Sequence, residues 1–389
     1  MTDTATPAAA DAGQDILFEE RGALGLVTLN RPQALNALTH AMILALEARL
    51  ERWRHDPAIR IVAIRGAGER AFCAGGDIRA LYEAGRPGGA RGRANFQFYA
   101  DEYRLNTMIK RYPKPYVALM DGIVMGGGVG VSIHGSHRIA TERTVFAMPE
   151  TGIGLFPDVG GTYFLPRLPK ETGMWLGLTG TRLKGDDVAG AKLADMVLPS
   201  AVLDDLLASL AAPDGAIPEA IHAAMSEAGR GGALDRLARL VIEPLDQTAW
   251  QAHLDHLQAM GSVFVDGIME RHTIYGAESP TAILAALEAE GSPLSLKQRD
   301  TILSKSPTCT EIAYRQIRTG ATLDFEACMA LEYRLARFCM THPDFYEGVR
   351  ATIIEKSTPP TWTPQTLAEV AHTGIDTAFT PLPDDRLPK

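Results

Sequence analysis

Three consecutive glycines, Gly126, Gly127 and Gly128, constrain this chain more than any other feature. They follow a short apolar run, Tyr116 to Met120, that predicts a buried strand. They feed a second apolar segment, Val129 to Ile133, that predicts the start of a helix. Glycines tolerate positive φ and leave no side chain between the backbone and a ligand. Where such a turn enters a helix, free N–H groups point outward with the helix dipole behind them. That arrangement suits negative charge, either a standing phosphate or an oxyanion that develops during a reaction. A second glycine pair, Gly75-Gly76 in AFCAGGD, also precedes a short helical start. Two acids set beside prolines follow the triplet: Glu150 in MPET and Asp158 in FPDVGG. In glycine-rich, otherwise apolar surroundings both are candidate catalytic groups.

The chain of 389 residues has room for one large α/β domain with an accessory part, or for two domains. Residues 1–15 contain no Lys or Arg and predict a disordered tail rather than a leader. Residues 16–30 alternate loosely around Arg21-Gly22, the pattern of a hairpin. Thr39 then heads a run in which Met42, Leu46, Leu50 and Trp53 recur at helical spacing. A strand over Ile59 to Arg65, a mobile glycine-rich loop between Gly85 and Gly92, and a helix over residues 94–111 complete the first pattern. This strand-and-helix rhythm over residues 16–200 favours an α/β fold. Residues 201–389 read as almost all helix, broken at Pro213, Gly229-Gly232, Pro280 and Pro293, and form an accessory region completing or covering the site.

The net charge of -9 argues against nucleic acid as the main partner. No apolar run approaches the roughly 20 residues needed to span a bilayer, so no membrane partner is expected. Four cysteines, Cys73, Cys309, Cys328 and Cys339, are too sparse and irregular for a disulfide framework. Together with the acidic, leaderless start they predict a cytoplasmic protein. His134 and His137 lie three apart, as metal ligands on a helix can, but no third ligand is evident and no metal is expected. Cys73 reads as a core residue.

The segments LNRPQALNALT, AFCAGGDI, MGGGVG and FAMPETGIGLFPDVGGTYFLPRL resemble the crotonase (enoyl-CoA hydratase/isomerase) superfamily. The later segments KSPT and EYRLARFCMTHPDFYEGVRATIIEKSTPPTWTP are similar to its 3-hydroxyisobutyryl-CoA hydrolase branch, so the likeness runs from Ile16 to Pro364. The resemblance implies a spiral of ββα repeats with a helical C-terminal region. It implies a small-molecule acyl-CoA substrate, with no separate cofactor because coenzyme A is part of that substrate. The thioester carbonyl would sit between the backbone N–H groups of Gly76 and Gly127. Glu102, in DEYRLN, matches a position that contacts the acyl end of the substrate, and Arg31 or Lys305 could pair with coenzyme A phosphates. C-terminal helices of this kind often cover the site or meet a neighbouring subunit, so a homo-oligomer is allowed.

Departures from the hydratase pattern bear on the reaction. Hydratases of the superfamily carry two glutamates; here the first position holds Gly130 and the second Glu150, while Asp158 stands where they usually have glycine. A glutamate with a nearby aspartate suits thioester hydrolysis. Glu150 would activate water or attack the carbonyl, and Asp158 would orient the water or the substrate hydroxyl. The implied reaction is hydrolysis of 3-hydroxyisobutyryl-CoA in valine breakdown, with 3-hydroxypropionyl-CoA as a second substrate. The alternatives are an enoyl-CoA hydratase or isomerase using Glu150 alone, and a non-catalytic acyl-CoA-binding protein.

Overall fold

A computed structural model describes residues 14–85, 95–212 and 264–381, with Leu387 and positions 251, 254, 255, 257–259 and 262. The tail expected over residues 1–15 lies outside the described residues except for Gln14 and Asp15. The breaks at Pro213 and Gly229-Gly232 and the glycine-rich stretch beyond Gly85 also lie outside them.

The hairpin around Arg21-Gly22 is present as strands β1 (Ile16–Arg21) and β2 (Leu24–Leu29). β2 then pairs in parallel with β3 (Ile61–Gly66), which pairs with β5 (Tyr116–Met120). β7 (His137–Ala140) and β10 (Met196–Val197) continue the sheet, in the order β1-β2-β3-β5-β7-β10. Successive residues point to opposite faces, and both faces are apolar. Leu24, Leu26, Ile61, Ala63, Val117 and Leu119 face helix α8 (Leu203–Leu210). Val27, Leu29, Val62, Ile64, Ala118 and Met120 face the main core. A parallel sheet covered on both sides must read as near-continuous hydrophobic runs, and these strands do. Helix α1 (His40–His55) lies on the main-core side, capped by Thr39, whose hydroxyl accepts the Met42 N–H at 3.2 Å. Met42, Leu46, Leu50 and Trp53 are all buried, as their spacing predicts.

A second, smaller sheet has the order β4-β6-β8-β9. Its members are β4 (Ala71–Cys73), β6 (Ile123–Met125), β8 (Val145–Ala147) and β9 (Leu183–Lys184). Each strand β3, β5 and β7 of the large sheet turns a corner into a strand of the small one, which gives the repeated ββα unit that the resemblance implies. At the corner between β5 and β6, Gly122 has φ +85, and an added methyl would lie 2.7 Å from the backbone of Arg70. β6 and β8 have three residues each, too few to show a two-residue period, and the sequence reading passed over them.

Two helices flank the first glycine turn: α2 (Ile78–Gly85) and α3 (Phe96–Lys110). The helix expected from Val129 to Ile133 is corrected to a single turn, α4 (Gly127–Gly130). The reason lies in Ser132, whose hydroxyl bonds back to the Gly128 carbonyl at 2.7 Å while its own carbonyl accepts the N–H of Gly135. The chain is thereby redirected into β7.

After the short helices α5 (Gly161–Phe164), α6 (Thr172–Thr179) and α7 (Asp186–Gly190), and β10 and α8, the described residues form helices without further strands. These are α9 (Ile268–Tyr275), α10 (Pro280–Glu290), α11 (Pro293–Leu303), α12 (Pro307–Gly320), α13 (Phe325–Thr341), α14 (Pro343–Val349) and α15 (His372–Phe379). Pro280 and Pro293 mark helix starts. The hydroxyls of Ser279, Ser292 and Ser306 each cap a helix that begins with the following proline. Phe325, Met329, Leu335 and Phe345 join the same main core as the sheets.

Candidate active site

Strands β4, β6 and β8 run parallel and adjacent, so their C-terminal ends meet at one edge of the small sheet. Each end delivers one part of the site. β4 leads to Gly75-Gly76, β6 to Gly126-Gly127, and β8 through Met148-Pro149 to Glu150, which opens a short 3-10 turn (Glu150–Ile153). At Gly126 φ is +48, and an added methyl there would lie 3.2 Å from Gly75 Cα, so the two glycine turns abut. A methyl at Gly127 would lie 3.2 Å from the Gly76 nitrogen and 2.6 Å from Glu102 Oε1. Among the described residues neither the Gly76 nor the Gly127 N–H has a backbone acceptor; Gly127 opens its helix and has none by position.

Gly76, Gly127, Glu102, Glu150 and Asp158 all line one cavity of about 170 Å³, whose apolar wall includes Ile78, Leu81, Phe98, Ile153 and Ile353. The sequence placed these five on four separate segments; the fold brings all of them together. Glu102, Glu150 and Asp158 are each at most 4% exposed. Burial first, then the charge of Asp158, holds the Glu150 carboxyl well above the usual carboxylate range. The same two causes, with Glu332, raise Glu102. Burial pushes Asp158 up to about 7, opposed by the hydrogen bond from Tyr103. Carboxyls packed this closely out of water cannot all ionise at once, and each is made a stronger base than an exposed carboxylate. Oε1 of Glu102 and Oε2 of Glu150 have no hydrogen-bond partner among the described residues.

The loop that carries Asp158 is held on four sides. The Tyr103 hydroxyl donates to Asp158 Oδ2 at 2.9 Å. Gln316 Nε2 donates to the Pro157 carbonyl at 2.6 Å, and His134 Nε2 meets the Val159 carbonyl at 2.7 Å. Glu332, on α13, accepts the N–H groups of Gly160 and Thr162, both at 2.8 Å. Sequence reasoning missed Tyr103, Gln316 and Glu332. A signal existed for the first: Tyr99, Glu102, Tyr103 and Asn106 recur at i, i+3, i+4 and i+7, a polar stripe on the buried face of α3.

Other residues singled out from sequence have different surroundings. His134 and His137 do not share a helix: His134 lies in the turn after α4, and His137 opens β7. Burial pushes the His134 imidazole down to about 3, so the neutral ring serves as a strut on the Val159 carbonyl. Cys73 is buried, its thiol pushed up to about 12 by that burial, and its Sγ lies 3.5 Å from the Gly75 carbonyl. Arg31 pairs with Asp77 at 3.1 Å. Lys305 Nζ lies 3.3 Å from where a Gly152 methyl would stand, over the turn that Glu150 opens.

A family model described as Enoyl-CoA hydratase/isomerase matches residues 24–379. A relative from Danio rerio, named 3-hydroxyisobutyryl-CoA hydrolase, mitochondrial, is 44% identical over 96% of this chain and 91% of its own length. The protein of the same name from Homo sapiens is 40% identical over 95% of this chain and 89% of its own length. Among solved structures, a carnitinyl-CoA dehydratase from Mycobacterium thermoresistibile superposes with a TM-score of 0.80 at 36% identity, covering 96% of this chain and 98% of its own. An enoyl-CoA hydratase from Rhodobacter sphaeroides gives 0.80 at 35%, covering 96% and 100%. The cytoplasmic expectation is corrected by these relatives, which are named mitochondrial. Buried free cysteines are compatible with any reducing compartment and do not single one out.

Proposed function

We propose that this chain, which belongs to the enoyl-CoA hydratase/isomerase family, hydrolyses the thioester of 3-hydroxyisobutyryl-CoA to the free 3-hydroxy acid and coenzyme A. The reading rests on one observation above the others. The buried Glu150 shares its cavity with Asp158, and Gly130, which stands where hydratases carry the first of their two glutamates, is closed to a side chain. A methyl at Gly130 would lie 2.7 Å from the Asn106 amide and 2.9 Å from Val159 Cβ, leaving no room for a side chain.

The thioester oxygen takes the N–H groups of Gly76 and Gly127, which hold the negative charge of the tetrahedral intermediate; one such donor is worth about 3 kcal/mol of barrier. Glu150 supplies the attack, by removing a proton from water or by adding to the carbonyl carbon itself. Collapse of the intermediate breaks the C–S bond, and the departing thiolate takes a proton. Asp158, held by Tyr103, orients the water or the substrate hydroxyl and relays that proton. Burial makes the Glu150 carboxylate a stronger base than an exposed one, which suits the removal of a proton from water. No cofactor is required, and 3-hydroxypropionyl-CoA, which keeps the 3-hydroxyl, fits as a second substrate.

The test compares thiol release from 3-hydroxyisobutyryl-CoA with loss of enoyl absorbance from crotonyl-CoA. Rapid thiol release without crotonyl-CoA hydration is expected. Hydration without thiol release would replace the hydrolase reading with a hydratase, and binding without either reaction would leave an acyl-CoA-binding protein.

A further inference from the structure

Tyr99 lines the same cavity, and its hydroxyl has no part in the mechanism above. The residue is 2% exposed, and its hydroxyl has no hydrogen-bond partner among the described residues. A buried donor left unmade costs about 1–3 kcal/mol, so an orphan at a cavity wall points to a ligand that satisfies it. The ring is fixed rather than free to turn aside: Phe98 meets it edge-on at 5.4 Å, and Tyr103 packs against it tilted, at 5.8 Å. Glu102, one turn further along α3, presents its own orphaned Oε1 to the same space.

A substrate held by its thioester leaves these two atoms to be matched. The carbonyl oxygen is taken by Gly76 and Gly127, and the carbonyl carbon must face Glu150. What remains of a short 3-hydroxyacyl group is its methyl-bearing carbon and its hydroxyl. We infer that Tyr99 is a specificity-determining residue: its hydroxyl donates to the substrate 3-hydroxyl, whose own proton is accepted by Glu102 Oε1. A hydroxyl offers one donor and two lone pairs, so both contacts can form at once. Burial, followed by the charges of Asp158 and Glu102, raises the Tyr99 phenol well above its ordinary range, and it remains a donor at neutral pH. The inference rests on the proposed thioester hydrolysis and adds the means by which the site distinguishes a hydroxyacyl group from a plain one. A site built to bond a hydroxyl rejects an analogue lacking it far more strongly than an apolar pocket does.

The experiment measures kcat/KM for 3-hydroxyisobutyryl-CoA and for isobutyryl-CoA, which lacks the hydroxyl, in the wild-type protein and in Tyr99→Phe. The variant is expected to lose about tenfold to a hundredfold on the hydroxy substrate and to change less than about twofold on isobutyryl-CoA. Its melting temperature should be unchanged or higher, because an orphaned buried hydroxyl has been removed. An equal loss on both substrates, a preserved preference, or a lowered melting temperature with the preference intact would overturn the role of Tyr99 while leaving the hydrolase standing. Failure of the wild-type protein to release thiol from 3-hydroxyisobutyryl-CoA would instead overturn the hydrolase and this inference with it.

Discussion

The hydroxyl of Tyr103 donates a 2.9 Å hydrogen bond to Oδ2 of Asp158, and both residues are buried. This contact couples helix α3 to the loop that closes the cavity, and it opposes the burial that raises Asp158 to about 7. If ionised Asp158 assists the reaction, kcat/KM rises with pH through a midpoint near that value. Removing the hydroxyl removes a bond that favours the charged form, so Tyr103→Phe is expected to move the midpoint upward and to lower kcat about tenfold. A pH–rate profile of the variant checks both. An unmoved acidic limb would mean that Asp158 does not set it.

At Gly127 the prediction is steric. A methyl group there would stand 3.2 Å from the Gly76 nitrogen and 2.6 Å from Glu102 Oε1, in the space where the thioester oxygen is expected. Gly127→Ala should lower kcat by about 100-fold or more, the cost of losing an oxyanion donor. Steady-state kinetics on folded protein measures it, and a variant with near-normal kcat would place the oxyanion elsewhere.

Gly130 tests the distinction from hydratases. With Asn106 and Val159 filling the space around its Cα, Gly130→Glu is expected to destabilise the fold rather than confer hydration of crotonyl-CoA. Overpacking of this kind typically costs about 1–3 kcal/mol even for one methyl group. A stable variant with new hydratase activity would show that the position can open.

Glu332 links the C-terminal helices to the catalytic loop through the N–H groups of Gly160 and Thr162. Glu332→Ala strands both donors and should cost roughly 2–5 kcal/mol in denaturant unfolding. The pH dependence has a definite sign. Burial raises the folded-state value from 4.5 to about 8, so the carboxyl binds its proton more tightly folded than unfolded. That contribution to stability is complete below the unfolded value and is lost as pH climbs through about 8. Melting temperature should therefore fall between about pH 5 and pH 8, and Glu332→Gln should flatten the fall. A wild-type slope retained in Glu332→Gln would assign it to other buried carboxyls.

Much of this was legible in the chain because short-range rules sufficed. The Thr39 cap, the apolar run of Tyr116–Met120 and the glycine turns at Gly76 and Gly127 each declare themselves within a few residues. Glu150 and Asp158 stood out by their proline and glycine neighbours. What the chain concealed is what depends on distant contacts. Three-residue strands β6 and β8 exist because neighbouring strands pair with them. The hold of Glu332 and Gln316 on residues 157–162 spans more than 150 positions in sequence, and nothing local to either residue announces it. The compartment was misjudged because the chemistry of buried thiols does not name one.

The most direct measurement is free-thiol release from 3-hydroxyisobutyryl-CoA by the wild-type protein, by Glu150→Gln and by Asp158→Asn. Acyl-CoA binding is followed in parallel. The expected result is rapid release by the wild type, a loss of about a thousandfold in Glu150→Gln with binding retained, and a smaller loss in Asp158→Asn. Near-normal release by Glu150→Gln would contradict the assignment of the attack to Glu150.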